Sequence, residues 1–180
     1  MRILKEDCVG LVIDIQEKLF PHMDQHELLF NNTHILVKGL NLLNIPLIVT
    51  EQYPRGLGGT MEGLSHIIPG FDPVEKMSFS CCDEASVMEK LSVLSKKNVI
   101  ICGIEAHVCV LQTVIDLIEN DYQPVLIANC TSSRNPDDLL IAIERMRQEG
   151  AIISSYESIL FELARVSGTE SFKMISKLVK

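Results

Sequence analysis

The stretch Asn98 to Val114, NVIICGIEAHVCVLQTV, constrains the fold more than any other. Val99, Ile100, Ile101 and Cys102 are apolar without alternation, the pattern of a strand buried on both faces. Such a strand belongs to a parallel sheet with helices on each side. Gly103 is expected to break the strand. From Cys109 the apolar positions Val110, Val114, Leu117 and Ile118 recur at helical spacing, so Cys109 is read into the first turn of a helix fed by a buried strand. Partial positive charge and unpaired N–H groups at a helix start stabilise a thiolate, and this address therefore predicts a thiol pKa below the ordinary ~8.5. A buried, inert core cysteine is the competing reading of the same residue.

The alternation of strand and helix repeats along the chain. Cys8 to Ile15 (CVGLVIDI) reads as a central strand with Asp14 at its carboxyl end, the edge where open α/β sheets bind their ligands. A strand-ending or helix-capping aspartate is the alternative. Asp24 to Leu43 carries a helical face of Leu28, Leu29, Leu36, Leu40 and Leu43. Ile45 to Thr50 is a second strand, followed by an irregular loop, Glu51 to Thr60, whose glycines match neither a dinucleotide nor a Walker pattern. A short third strand around Val74 to Met77 holds Lys76, a residue more often solvated than catalytic, and Ser80 to Leu94 forms a helix. Pro124 to Ala128 is a fifth strand with a polar loop, Thr131 to Arg134, at its carboxyl end. Asn135 as N-cap and Pro136 in the first turn open a helix that runs to Gly150. Ala151 to Ser154 is a sixth strand, and helices near Tyr156 to Ala164 and Glu170 to Leu178 close the chain. These elements predict one domain over residues 1–180, a three-layer Rossmann-like α/β fold whose parallel sheet has helices on both faces.

Charge and cysteine usage limit the partners. A formal charge of −8, with Arg145, Arg147, Lys173, Lys177 and Lys180 scattered instead of clustered, leaves no footprint for a nucleic-acid backbone. The apolar runs are interrupted by Asp14, Glu105, His107 and Asp116, too soon for the ~20 residues of a membrane span. Six cysteines without a Cys-x-x-Cys pair, and no charged-then-apolar leader, point to a reducing, cytoplasmic compartment. Cys81 and Cys82 are read as two free thiols, since sequence neighbours rarely close an unstrained disulfide; a redox pair is the alternative.

In a parallel sheet Asp14, Lys76 and Cys109 leave strands one, three and four at the same edge. An acid, a cation and a thiol brought together there permit nucleophilic chemistry. Asp14 takes the thiol proton, Lys76 holds the negative charges, Cys109 attacks an electrophilic carbon, and N–H groups around Glu105 and Cys109 bind the oxyanion. Asp14 after an apolar strand, Lys76 in KMSFS and GIEAHVCV at 103–110 resemble the isochorismatase-like cysteine hydrolase superfamily. TEQYPRGLG after strand two, SSR at 132–134, RMRQEGA at 145–151 and SYESILFEL resemble its isochorismatase domain-containing protein branch, over nearly the whole chain.

The resemblance implies a six-stranded sheet in order 3-2-1-4-5-6 and a catalytic triad of Asp14, Lys76 and Cys109. It also implies a non-proline cis peptide between Ile104 and Glu105, and a homo-oligomer, dimer or larger. The nicotinamidase branch carries an Asp-x-His…His metal site after strand two. Glu51 to Thr60 contains no histidine, so no catalytic metal and no cofactor are expected. Enzymes that hydrolyse isochorismate lack the nucleophile cysteine, whereas Cys109 is present. The expectation is a metal-independent cysteine hydrolase of a small amide-like molecule, acting through a thioester, with Gln16, Phe20, Tyr53 and Phe79 as pocket walls. Glu105 and His107 carry lesser expectations of a catalytic role. A binding or scaffold protein that keeps the fold without turnover is the rival reading.

Overall fold

The computed structural model describes residues 2–180. Six strands, β1 (Cys8–Ile13), β2 (Leu47–Gln52), β3 (Val74–Lys76), β4 (Asn98–Ile104), β5 (Gln123–Ser132) and β6 (Ile152–Ser154), pair in parallel in the order β3-β2-β1-β4-β5-β6. Eight α-helices connect and cover them: α1 (His26–Leu42), α2 (Pro54–Leu57), α3 (Glu62–Ser65), α4 (Ala85–Leu94), α5 (Leu111–Glu119), α6 (Pro136–Glu149), α7 (Tyr156–Ala164) and α8 (Glu170–Leu178). The strand order is the one the family resemblance implies, and the two terminal helices are as read from the sequence.

Strand side chains alternate between faces, and here both faces are apolar, which is why the strands read as unbroken runs. Cys8 and Val12 of β1, Ile100, Cys102 and Ile104 of β4, and Val125 and Ile127 of β5 pack with Leu36 and Leu40 of α1, Ile159 and Leu160 of α7 and Ile175 of α8. Their neighbours Val9, Leu11, Ile13, Val99, Ile101 and Leu126 face Val87 and Leu91 of α4, Val114 and Leu117 of α5, and Ala142 and Met146 of α6. Each helix layer thus covers one side of the sheet.

Several boundaries differ from the sequence reading, each for a physical reason. β2 starts at Leu47, because Pro46 has no N–H to give to a ladder and contributes only its carbonyl, accepting from Gly10 N at 2.9 Å. β4 does not break at Gly103. It runs on to Ile104, and Gly103 (φ 142°) lies so close to β1 that a Cβ there would collide with the Ile13 carbonyl. β5 extends into the expected polar loop: its register shifts between the pairs Ile101–Leu126 and Gly103–Thr131, so Thr131 and Ser132 are strand residues. Asn135 caps α6 as expected, its side chain accepting from Asp137 N at 3.0 Å. Among the described residues no helix is long and apolar enough to cross a membrane.

Candidate active site

Asp14 follows the last residue of β1. Strict alternation would send it to the α1 side with Val12, yet it faces the α5 side, the layer that already holds Ile13. A left-handed backbone (φ 52°), which aspartate tolerates better than most residues, makes that turn. The carboxylate is then held at both oxygens. Oδ1 accepts from Thr50 Oγ1 at 2.7 Å and Oδ2 from Lys76 Nζ at 2.7 Å.

Asp14 and Lys76 are an ion pair with both side chains at 0% exposure. A buried pair survives only when its remaining hydrogen-bonding capacity is met. Lys76 Nζ meets it with Gln52 Oε1 at 2.8 Å and the carbonyls of Phe79 at 3.1 Å and Ser78 at 3.2 Å. Burial alone would depress the Lys76 pKa. The Asp14 carboxylate, by its charge and its hydrogen bond, outweighs it and holds the pKa above the ordinary lysine value.

Cys109 is delivered differently from the expected α-helical first turn. After the cis peptide Ile104–Glu105, residues Ala106–Val110 form one turn of π-helix ahead of α5, with Val108 N and Val110 N both donating to Glu105 O. Thr113 Oγ1 donates to Cys109 O at 2.7 Å and accepts from Cys81 N at 2.9 Å. The thiol pKa is raised, the reverse of the expectation. Burial is the largest cause and the Asp14 charge the next, and Lys76 opposes them only in part. The helix-start effect is smaller than the cost of burying a thiolate beside a carboxylate, so Cys109 rests as a neutral thiol.

The rim is built from the ends of β4 and β5. Glu105 Oε2 accepts from the backbone N and the Nε of Arg134, both at 3.0 Å, and His107 Nδ1 meets Ser133 Oγ at 2.9 Å. Gln16 is buried with its amide spent on backbone. Oε1 accepts from Gln52 N at 2.7 Å, and Nε2 donates to Gly58 O at 2.7 Å and Gln52 O at 3.0 Å. Phe20 lies in the apolar layer on the α1 side, edge-on to His26 and Phe30. Tyr53 (47% exposed) and Phe79 (53%) stand open at the carboxyl ends of β2 and β3. Asp14 and Lys76 therefore meet with Cys109 close enough to feel both charges, Tyr53 and Phe79 adjoin Lys76 through backbone hydrogen bonds, and Phe20 does not join them. Thr50, Gln52 and Thr113 escaped the sequence reading. Continuing the period-two alternation of β2 through Thr50-Glu51-Gln52 would have flagged the first two. Among the described residues, no group of three or more His, Cys, Asp and Glu side chains is placed to hold a metal ion.

The parallel, doubly wound sheet defines the fold class, and comparison with known proteins gives the functional one, a hydrolase of the cysteine hydrolase superfamily. Residues 8–158 match the isochorismatase domain. Over 99% of its length the chain is 39% identical to isochorismatase family protein 1B of Dictyostelium discoideum, covering 89% of that protein. It is 36% identical to isochorismatase domain-containing protein 2 of Danio rerio, over 99% of this chain and 89% of the relative. The structure of MAR1 ribonuclease from Caenorhabditis elegans superposes with a TM-score of 0.94 at 35% identity, covering 99% of this chain and 92% of that one. The chain belongs to the isochorismatase family, in its isochorismatase domain-containing protein branch.

Proposed function

We propose that the protein is a metal-independent cysteine hydrolase that cleaves the C–N bond of a small amide-like substrate through a covalent thioester. The observation that carries this reading is the fully buried Lys76–Asp14 pair, 2.7 Å apart, beside a Cys109 thiol that burial first, and the Asp14 charge next, keep neutral. A neutral thiol needs a base at the moment of attack, and Asp14 supplies it. The thiol proton passes to Asp14 as Cys109 Sγ bonds to the carbonyl carbon. The first N–H groups of a helical turn have no partner within it, and those of Glu105 and Cys109 take the developing oxyanion. Asp14 returns the proton to the leaving nitrogen, the C–N bond breaks, and an amine departs from a thioester. Water, deprotonated by Asp14, then releases a carboxylate and restores the thiol. Lys76 touches neither substrate nor leaving group. It holds the Asp14 carboxylate in place. Tyr53 and Phe79 form the outer walls of the pocket, whereas Gln16 holds the loop behind them.

A panel of small amides and esters, assayed with the intact protein, tests the reading. Turnover is expected on an amide, with loss of about 10²–10⁴-fold in Asp14→Asn, the scale of general-base catalysis, and of all turnover in Cys109→Ala. Full turnover by Cys109→Ala would sink it. RNA belongs in the panel, because the Caenorhabditis elegans protein is named a ribonuclease. A net charge of −8 weighs against an RNA-binding surface, and RNA cleavage that survives Cys109→Ala would replace the present reading. The reading includes a cytoplasmic protein, supported by six free cysteines, and a homo-oligomer. Cell fractionation and light scattering test these two points.

A further inference from the structure

Asp14 and Cys109 are joined by a second connection that the acid, lysine and thiol do not include. Thr50 Oγ1, which donates to Asp14 Oδ1 at 2.7 Å, lies 3.8 Å from Cys81 Sγ. Cys81 N donates to Thr113 Oγ1 at 2.9 Å, and Thr113 Oγ1 donates to Cys109 O at 2.7 Å. Thr50, Cys81 and Thr113 are all fully buried. A hydroxyl has one proton, and Thr50 spends it on Asp14, so the Cys81 thiol is the donor in the weakest link of the chain. Burial, then Asp14, pushes the Cys81 pKa up to about 11, in keeping with that donor role.

We infer that Thr50, Cys81 and Thr113 are positioning residues, a buried arc of hydrogen bonds that fixes the separation of the Asp14 carboxylate and the Cys109 thiol. Both ends lie past their strands, and the one backbone tie of Asp14 to β2, its N–H to Thr50 O at 3.2 Å, leaves its carboxylate free to turn. Asp14 lies one residue beyond β1, and Cys109 lies in the π turn beyond β4. A reacting pair displaced by about 1 Å loses much of its rate, so the strand ends alone are too loose a mount. The arc ties the end of β2, the turn before α4 and the first turn of α5 into one frame. It also accounts for Cys81 without redox chemistry.

The inference rests on Asp14 acting on Cys109, and its test separates the two. The probe is iodoacetamide at pH 8 on the intact protein, with the alkylation rate of each cysteine read by peptide mass spectrometry. Asp14→Asn removes the charge that, after burial, does most to keep the thiol protonated, so Cys109 is expected to react about tenfold faster, the change that one unit of pKa brings. Thr50→Val and Thr113→Val free Asp14 from the thiol and are expected to speed Cys109 about 3- to 10-fold. Thr50→Ser and Thr113→Ser retain the parental rate. Cys102 and Cys130, on the other side of the sheet, keep their rates in all variants. On the Asp14→Asn background, Thr50→Val adds nothing, since the two act through one contact. An unchanged Cys109 rate in Asp14→Asn overturns the role of Asp14 and the arc with it. A faster Asp14→Asn with unchanged valine variants overturns only the arc. So does equal acceleration of Cys102 and Cys130, the mark of general loosening, or a full Thr50→Val effect on the Asp14→Asn background.

Discussion

Cys102 lies within β4 and Cys109 just beyond it, and the two thiols end on opposite sides of the sheet. Cys102 packs with Cys8 and Cys130 among the apolar side chains of α1 and α7. Cys109 and Cys81 pack on the α4 and α5 side, beside Asp14 and Lys76. Both thiols are buried and both have raised pKa values, so burial does not distinguish them. The causes do. For Cys102 desolvation is the whole account, and its pKa is pushed up to about 12. For Cys109 desolvation is joined by a carboxylate and opposed by an ammonium, two charged groups that bias its ionisation from opposite directions. A candidate nucleophile is therefore recognised by its charged partners, and the comparison can be broken by removing those partners one at a time.

The largest effect is expected at Lys76. Lys76→Met leaves Asp14 buried beside apolar carbon and without its counter-charge, a change that costs about 3–5 kcal/mol in buried pairs. Urea unfolding at pH 7 is the measurement. Cys102→Ala, on the other side of the sheet, removes one sulfur from an apolar layer and is expected to cost about 1 kcal/mol. The double variant Asp14→Asn with Lys76→Met, which buries no charge, is expected to be more stable than Lys76→Met alone. Equal losses for Lys76→Met and Cys102→Ala would mean that the two sides are held by packing alone.

The second effect depends on pH and runs in the alkaline direction. A group whose folded pKa is raised adds stability that is whole below its unfolded value and is lost as pH climbs toward the folded one. Cys8 and Cys102 have folded values of about 12 against an unfolded thiol near ~8.5. Lys76, also raised, adds the same sign above about pH 10.4. Stability is therefore expected to be level from pH 7 to about pH 8.5 and to fall steadily above it. Cys102→Ala has no thiol to keep protonated, so the difference from the parent is expected to move by about 2.7 kcal/mol in its favour by pH 10.5, about 1.36 kcal/mol per pH unit, turning its deficit of about 1 kcal/mol at pH 7 into an advantage. Parallel curves for the two proteins between pH 8.5 and 10.5 would contradict this account.

Most of the fold was legible because buried parallel strands and amphipathic helices write themselves as period and run. Asn135, Pro136 and Gly150 marked α6 through local backbone chemistry. Asp14, Lys76 and Cys109 were legible as residue types at strand ends. Their electrostatics were not, because the Cys109 pKa depends on depth and on a carboxylate distant in sequence, and a helix-start argument sees neither. The π turn, the extension of β5 and the arc through Thr50, Cys81 and Thr113 were invisible for a related reason. Each is set by contacts between segments that carry no local signature. Phe20 illustrates the opposite error, an aromatic near the acid in sequence that the chain turns into the α1 layer.

The smallest effect sharpens the comparison at the rim. Arg134 pairs with Glu105 at 3.0 Å, but its side chain is 63% exposed and Glu105 is 8% exposed, so solvent screens most of the attraction. Arg134→Ala also leaves half of the contact standing, because the backbone N of residue 134 still donates to Glu105 Oε2. Its cost is expected to stay below about 1 kcal/mol in urea unfolding, with the Cys109 alkylation rate at pH 8 unchanged. Glu105→Ala takes away the acceptor of both bonds at the residue that opens the π turn, and its Cys109 rate is expected to move while that of Cys102 does not. If Arg134→Ala instead matched Lys76→Met in cost, the exposed pair at the ends of β4 and β5, and not the buried one between β1 and β3, would be the ionic contact that holds the site together.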